Sequence, residues 1–96
     1  MNNVIVFGSM NMDLTIESAR VPLQGETISG EGFFTNPGGK GANQAVAAAK
    51  SGASTFLIGS VGTDVFGDQL VAALAGYGVH CDGVRRSETE TGVAFI

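Results

Sequence analysis

The chain has 96 residues, of which 44% are apolar and 15% charged, and its formal net charge is −4. This composition is typical of a globular domain and excludes a disordered or membrane-spanning chain, since no apolar run approaches the roughly 20 residues of a spanning helix. Only five residues are Lys or Arg, which argues against nucleic acid as the main partner. The start lacks a basic segment, so we expect no signal peptide. The single cysteine, Cys81, cannot form an internal disulfide, and we therefore expect a cytoplasmic location.

Two features predict that these residues are a piece of a larger protein. Fifteen glycines are about twice the average usage, which is more than a small domain needs unless its backbone is shaped around something. The sequence also stops inside Gly92–Ile96, an apolar run that is typical of a strand.

The first third of the chain predicts a strand followed by a small flap. Val4–Phe7 is a continuous apolar run, which favours a strand buried on both faces of a parallel sheet. Met10–Glu17 alternates apolar and polar residues and predicts a second strand, and Val21–Glu26 predicts a loop. Thr27–Gly30 and Gly32–Thr35 indicate two further short strands, so we expect a small antiparallel flap apart from the main sheet.

A helix and a strand follow. Pro37–Gly41 is predicted to be a loop before a helix that begins at Ala42, where apolar residues recur at i, i+3, i+4 and i+7. Gly52 stands where a left-handed helix cap is expected. Thr55–Ile58 predicts the next strand.

The last third predicts a second helix, with Thr63 or Asp64 as its N-cap, and then a strand over Val79–Val84. The alternation of strands and helices indicates an α/β fold with a mostly parallel sheet. Three sheet strands and two helices form only part of such a layer, which again implies a missing remainder.

The first candidate site is the glycine-rich run Gly38–Asn43. Glycines at a helix start let backbone amides converge on a ligand oxygen, aided by the helix dipole, while Lys40 adds a charge and Asn43 a donor and an acceptor. A P-loop is excluded because Lys40 is followed by Gly41 rather than Ser or Thr. A tight turn with a helix cap, without a ligand, explains this run equally well.

The second candidate site is Asn11–Asp13, just after the first strand, where open α/β sheets bind ligands. The carboxylate of Asp13 can accept hydrogen bonds from two neighbouring hydroxyls, as a sugar requires. An Asx turn without function explains this pair if it stands alone. Gly62–Gly67 is predicted to be only a capped helix start, and His80 with Cys81 cannot build a zinc site.

Taken together, these motifs resemble the ribokinase (PfkB) family of carbohydrate kinases, and within it most closely the ribokinases. The resemblance covers essentially the whole chain. It rests on five matches that follow the family's order: Gly8–Asp13, Pro22–Thr27, Gly39–Ala45 with Gly52 and Gly62 at their spacing, Gly62–Gly67, and Thr91–Ala94.

The resemblance implies a ribokinase-like three-layer α/β sandwich with a small antiparallel β lid, to which residues of about 13–35 and 90–96 of this 1–96 unit contribute. It implies transfer of the γ-phosphoryl group of ATP, with Mg²⁺, to a sugar hydroxyl, for ribokinase the 5-hydroxyl of ribose, and a homodimer formed through the lid. By the same carry-over, the residues that contact the sugar are Asn11, Asp13, Gly39, Lys40, Asn43, Ala94 and Ile96.

The family's second signature, a Gly-Ala-Gly-Asp run that supplies the anion hole and the catalytic aspartate, does not occur in this sequence. We therefore assign no catalytic, ATP-binding or metal-binding residue to this chain and expect residues 1–96 alone to be inactive. Two alternatives stay open: a stand-alone sugar-binding or oligomerisation module without catalysis, and a generic phosphate-binding α/β domain.

Overall fold

The computed structural model describes residues 2–96, which is the whole of the predicted unit except its first residue. Within these residues, six strands form two sheets, and two helices pack against them. In chain order the elements are β1 (Asn3–Phe7), β2 (Asn11–Glu17), β3 (Glu31–Gly38), α1 (Lys40–Lys50), β4 (Ser54–Gly62), α2 (Val65–Gly76), β5 (Val79–Ser87) and β6 (Gly92–Phe95).

The main sheet has the order β1-β4-β5 and is parallel throughout, which confirms the predicted α/β class. Both helices pack on one face of this sheet. The core between them is formed by Leu57 and Val61 of β4, Ala45 of α1, and Leu70 and Leu74 of α2, each 0–2% exposed. Ala45, Leu70 and Leu74 are among the apolar positions that the helical periodicities select, whereas Val61 lies beyond the strand predicted over Thr55–Ile58.

The other face of the main sheet is open, so the prediction that β1 is buried on both faces is wrong for these residues. Ile5 and Phe7 are 68% and 84% exposed, because both helices lie on the opposite side, where Val6 is 7% exposed. Two layers of the predicted sandwich therefore lie within residues 2–96.

The small sheet has the order β3-β2-β6. Strands β2 and β3 are antiparallel, as predicted for the flap, and β6 joins β2 in parallel. The strand predicted over Thr27–Gly30 is not formed, because the ladder of β2 and β3 ends at the pair Glu17–Glu31 and leaves this segment without a partner. The connection is closed instead by Arg20, whose guanidinium donates two hydrogen bonds to the Glu26 carboxylate.

The strand before the glycine-rich run and the helix after it both extend further into the run than predicted. Strand β3 continues through Pro37 to Gly38, and α1 begins at Lys40, two residues before the predicted start at Ala42. Proline is tolerated here because β3 lies at the edge of its sheet, where one side of the strand needs no hydrogen-bond donor.

The two helices differ at their N-termini. The Asp64 side chain caps α2 by accepting a hydrogen bond from Gly67 N, as predicted, whereas α1 follows Gly39 and has no side-chain cap. Gly52 after α1 has φ +94°, which confirms the predicted left-handed residue. Neither helix is long and apolar enough to cross a bilayer in the part of the chain that the structure describes.

Candidate functional site

One face of the small sheet is polar. Asn11 and Asp13 are alternate residues of β2, so their side chains lie on the same side of the sheet. The residue of β3 opposite Asp13 is Asn36, and the residue of β6 beside it is Ala94. Residues directly across from each other share a face, so Asn36 and Ala94 flank Asp13 on the two neighbouring strands.

The Asp13 carboxylate lies directly over the backbone of Gly38. A Cβ at Gly38 would stand 2.6 Å from both Cγ and Oδ2 of Asp13. Such a distance is well inside van der Waals contact, so the carboxylate can occupy this position only because residue 38 has no side chain. The first two motifs of the sequence are therefore in contact.

Gly39 turns the chain from β3 into α1 in a conformation that other residues rarely adopt. Its φ is +94°, and a Cβ there would lie 2.8 Å from Ser9 O and 3.0 Å from Asn11 Oδ1. The turn thus sits against the start of β2, and it directs the N-terminus of α1 toward the polar face.

Helix α1 is packed backbone to backbone on the connection between β1 and β2. A Cβ at Gly41 would lie 2.5 Å from Gly8 C, and Ala42 N donates a hydrogen bond of 3.0 Å to Ser9 O. The amides of Lys40 and Gly41 have no acceptor within residues 2–96, and the first turn has no acidic residue. This end of α1 therefore presents free donors and the positive end of the helix dipole.

The polar side chains around this turn are also without partners. No hydrogen bond or ion pair within residues 2–96 involves the side chains of Asn11, Asp13, Asn36, Lys40 or Asn43. By contrast, the polar side chains at the start of α2 are extensively bonded. A carboxylate, amides and uncapped backbone donors that face one another without internal bonds are suited to a ligand with several hydroxyl groups.

Lys40 and Asn43 stand at the edge of this arrangement. Both side chains are exposed, and Asn43 lines a hollow of about 160 Å³ with Asn36, Pro37, Ala42, Val46 and Tyr77. Asp13 is not part of that lining. Asn36 links Asp13 to the hollow, because it lies opposite Asp13 in the sheet and also lines the hollow.

Ala94 and Ile96 lie at the end of the chain. Ala94 is beside Asp13, and Ile96 N donates a hydrogen bond of 2.8 Å to Leu14 O, which continues the pairing of β6 with β2 by one residue. The alternation of the strand gives Ile96 the same side as Ala94. Its side chain is 68% exposed.

Sequence reasoning missed Asn36 because it ended the flap strand at Thr35. Extending the alternation of β3 by three residues, through the proline, would have shown that Asn36 shares a face with Phe34 and Gly38.

Sequence reasoning names Thr91 in a family match but misses its bonds to Asp64, which lies 27 residues earlier in the chain. The Asp64 carboxylate accepts hydrogen bonds from the Thr91 hydroxyl and amide as well as from Gly67 N, and these donors, the hydroxyl foremost, lower the pKa of Asp64. Its motif is thus a structural junction, more extensive than the helix cap that the sequence predicts.

Comparison with known proteins points to one family. The profile of the pfkB family carbohydrate kinases matches residues 1–96. A ribokinase of Bacillus subtilis is 47% identical over 97 residues, which cover 100% of this chain and 33% of that protein. A deoxyribokinase of Salmonella typhi is 38% identical over 95 residues, covering 98% and 31% of the two chains.

A solved structure is similar to this chain in both fold and sequence. The ribokinase of Arabidopsis thaliana, in complex with ribose and ATP, superimposes with a TM-score of 0.85 at 42% identity, covering 98% of this chain and 31% of that one. The chain thus spans about a third of the length of the Bacillus subtilis and Salmonella typhi relatives. With a family profile that matches its full length and relatives of this similarity, the chain belongs to the pfkB family of carbohydrate kinases.

Proposed function

We propose that the full-length protein transfers the γ-phosphoryl group of ATP to a hydroxyl of a pentose, with ribose as the substrate and ribose 5-phosphate as the product. The observation that carries this proposal is the unpartnered polar face, where the Asp13 carboxylate lies over Gly38 beside the uncapped N-terminus of α1. The names of the relatives support the reaction, and the ribose and ATP of the Arabidopsis enzyme support the substrates.

In this proposal the predicted site residues on and beside the polar face hold the sugar. The two oxygens of Asp13 accept hydrogen bonds from neighbouring hydroxyls, and the Asn11 amide both donates and accepts. The backbone at Gly39 and the charge of Lys40 supply donors at the helix start, and Asn43 contacts the far side of the sugar.

Ala94 and Ile96 contribute apolar contacts from β6. A carbohydrate ring has C–H edges as well as hydroxyls, so a site with one apolar wall and one polar wall matches both. The name of the deoxyribokinase among the relatives supports including 2-deoxyribose among the candidate sugars. The choice between ribose and 2-deoxyribose therefore depends on contacts with the 2-hydroxyl.

We further propose that the small sheet acts as a lid over the sugar. Closure of a lid excludes water, which would otherwise compete with the sugar for the phosphoryl group. The opposite face of the sheet exposes large apolar side chains: Ile16, Phe33 and Phe95 are 53%, 63% and 83% exposed. An exposed apolar face of this kind favours contact with a second copy, so a homodimer through the lid is part of the proposal.

The ATP-binding and catalytic groups are not assigned to residues 1–96. Within residues 2–96 no three His, Cys, Asp or Glu side chains lie close enough together to hold a metal ion, and we assign no Mg²⁺ ligand to this chain. The free thiol of Cys81 suits the reducing cytoplasm, where we expect the enzyme to work.

A coupled assay of ADP release tests the reaction. The full-length protein is expected to release ADP when ribose is added with ATP and Mg²⁺, and residues 1–96 alone are expected to release none. Comparing ribose with 2-deoxyribose at equal concentration identifies the preferred sugar. Absence of sugar-dependent turnover in a folded full-length protein would refute the proposal. Binding of inorganic phosphate without binding of ribose would favour the phosphate-binding alternative.

A further inference from the structure

Strand β6 is held in place by very little apolar burial. Val93 and Phe95 are 40% and 83% exposed, and the strand lies at the edge of the small sheet beside β2. The residue just before it, Thr91, is only 6% exposed. The position of β6 therefore depends on its backbone pairing with β2 and on the hydrogen bonds that hold Thr91.

Thr91 is hydrogen-bonded to Asp64, the N-cap residue of α2, through both its backbone amide and its hydroxyl. Its amide donates to Asp64 Oδ2 at 2.9 Å, and its hydroxyl donates to Asp64 Oδ1 at 2.6 Å. The same hydroxyl accepts a hydrogen bond of 2.8 Å from Gly62 N at the end of β4. We call these three bonds between Asp64, Thr91 and Gly62 the Asp64–Thr91 latch.

The latch is attached to the start of α2 and to the end of β4. Asp64 Oδ1 also caps α2 through Gly67 N at 2.8 Å. A Cβ at Gly67 would lie 3.0 Å from Thr91 Oγ1 and would meet Gly62 O, so the latch has room only beside a glycine. Arg86 of β5 donates a hydrogen bond of 3.0 Å to Gly62 O, which fixes this peptide from the other side.

The latch lies close along the chain to the predicted sugar contacts. Ala94 is three residues beyond Thr91, a distance of about 10 Å in an extended strand. At the far end of β6, Ile96 N donates to Leu14 O at 2.8 Å. Strand β6 is thus held at both ends, and between these points Ala94 is set beside Asp13.

We propose that Asp64 and Thr91 are positioning residues for carbohydrate recognition: the latch sets where β6 carries Ala94 and Ile96 relative to Asp13. This inference rests on the proposed function, because it concerns how the lid meets the sugar. It gives the Gly62–Gly67 motif a role at the site although neither Asp64 nor Thr91 faces the sugar.

The test uses two variants of the full-length protein that break the latch in different ways. Asp64→Asn keeps an oxygen for the helix cap, since Asn is a good N-cap residue, but sets an amide nitrogen against the Thr91 N–H. Thr91→Val keeps the shape and removes the hydroxyl, which leaves Gly62 N without its acceptor. Thr91→Ser restores the hydroxyl and serves as the rescue variant.

We expect the KM for ribose to rise about tenfold in Asp64→Asn and Thr91→Val, the size of one lost hydrogen bond with a stranded partner. The kcat and the KM for ATP should stay near the wild-type values, because uniform binding of the sugar is what is lost. Hydrogen–deuterium exchange should accelerate at the amides of residues 93–96 in both variants, and Thr91→Ser should behave as wild type.

Asp82→Asn is the control. Asp82 is an exposed aspartate of β5, and within residues 2–96 it takes no part in the bonds of Asp64, Thr91, Gly62 or Arg86. This variant should leave the KM for ribose and the exchange of residues 93–96 unchanged.

If Asp64→Asn and Thr91→Val only lower the thermal midpoint, with the KM for ribose and the exchange of β6 as in wild type, the latch is a simple helix cap and the inference is overturned. If Thr91→Val does not fold, Asp64→Asn and Thr91→Ser decide by the same criteria. A wild-type protein without sugar-dependent turnover refutes the proposed function and the sugar role of the latch together. The exchange measurement still reports separately whether the latch holds β6.

Discussion

The substitution Gly41→Ala tests how α1 is seated on the sheet. Its new Cβ would lie 2.5 Å from Gly8 C, 2.8 Å from Gly8 Cα and 2.8 Å from Ser9 N. All three atoms belong to the backbone, so no side chain can rotate to relieve the contact. Non-bonded carbon atoms pack at about 3.5–4.0 Å, and the N-terminus of α1 must therefore move by about 1 Å.

This movement lowers the free energy of unfolding. Overpacking of a tight interface destabilises a protein by about 1–3 kcal/mol. Replacing a helical glycine by alanine returns at most about 1 kcal/mol through backbone entropy, so we expect a net loss of roughly 1–2 kcal/mol. A displacement of about 1 Å in groups that hold a substrate lowers the catalytic efficiency by up to about 100-fold.

Urea unfolding and ribose kinetics of the full-length protein measure both effects. Gly76→Ala is the matched control, since it is also a glycine-to-alanine change in a helix but its Cβ would have no atom within 4 Å. It should leave ribose kinetics unchanged and the stability equal to wild type or higher. Wild-type stability together with wild-type ribose kinetics in Gly41→Ala would refute the close packing of α1 on the connection between β1 and β2.

Three further predictions follow from single contacts. Gly38→Ala should raise the KM for ribose at least about tenfold with little change in the unfolding midpoint, because the three atoms nearest to its Cβ all belong to the Asp13 carboxylate; an unchanged KM would contradict the placement of that carboxylate. The pKa of Asp64 is held below its ordinary value of 3.8, mainly by the Thr91 hydroxyl, so its stabilising effect is present above that pH and lost as the pH falls through the lower folded-state pKa. The difference in urea midpoint between wild type and Asp64→Asn should accordingly be constant at neutral pH and shrink below about pH 3.8; a difference that does not depend on pH would argue against these bonds. Burial raises the pKa of the Cys81 thiol, with Asp82 adding to the effect, so iodoacetamide should alkylate it more slowly than free cysteine at pH 8, and equal rates would count against its burial.

The elements that the sequence predicts correctly are those whose signal is local. The apolar spacing of Leu70 and Leu74, and the cap at Asp64, need only a few neighbouring residues to be recognised. The second sheet could not be predicted from local patterns, because the parallel pairing of β6 with β2 joins residues about 80 positions apart. Only the family resemblance, and no periodicity, connected these strands.

The failures have physical causes of the same kind. The sequence of Thr27–Gly30 suits a strand, but a strand needs a partner, and β2 ends before it can provide one. The sequence predicts a loop from Pro37 onward, although in an edge strand this proline interrupts no hydrogen bond. Because the predicted strand ends at Thr35, the prediction also omits Asn36. Continuing the alternation of β3 places Asn36 beside Asp13.

The candidate site likewise combines one contact between motifs that the sequence singles out with other contacts that the sequence does not predict. The contact of Asp13 with Gly38 joins two motifs that the sequence singles out, and the structure places them together. The bonds of Thr91 to Asp64 could not be anticipated, because 27 residues separate two side chains that each have an ordinary local explanation.

The most direct test of the central claim is a calorimetric titration of the full-length protein with ribose, in wild type and in Asp13→Ala. Loss of a carboxylate that accepts hydrogen bonds from two hydroxyls should weaken binding by about 10-fold to 100-fold, while Asp82→Ala, an exposed aspartate of β5, should bind as wild type does. If Asp13→Ala binds ribose with the wild-type dissociation constant, the polar face of the small sheet is not where the sugar is held.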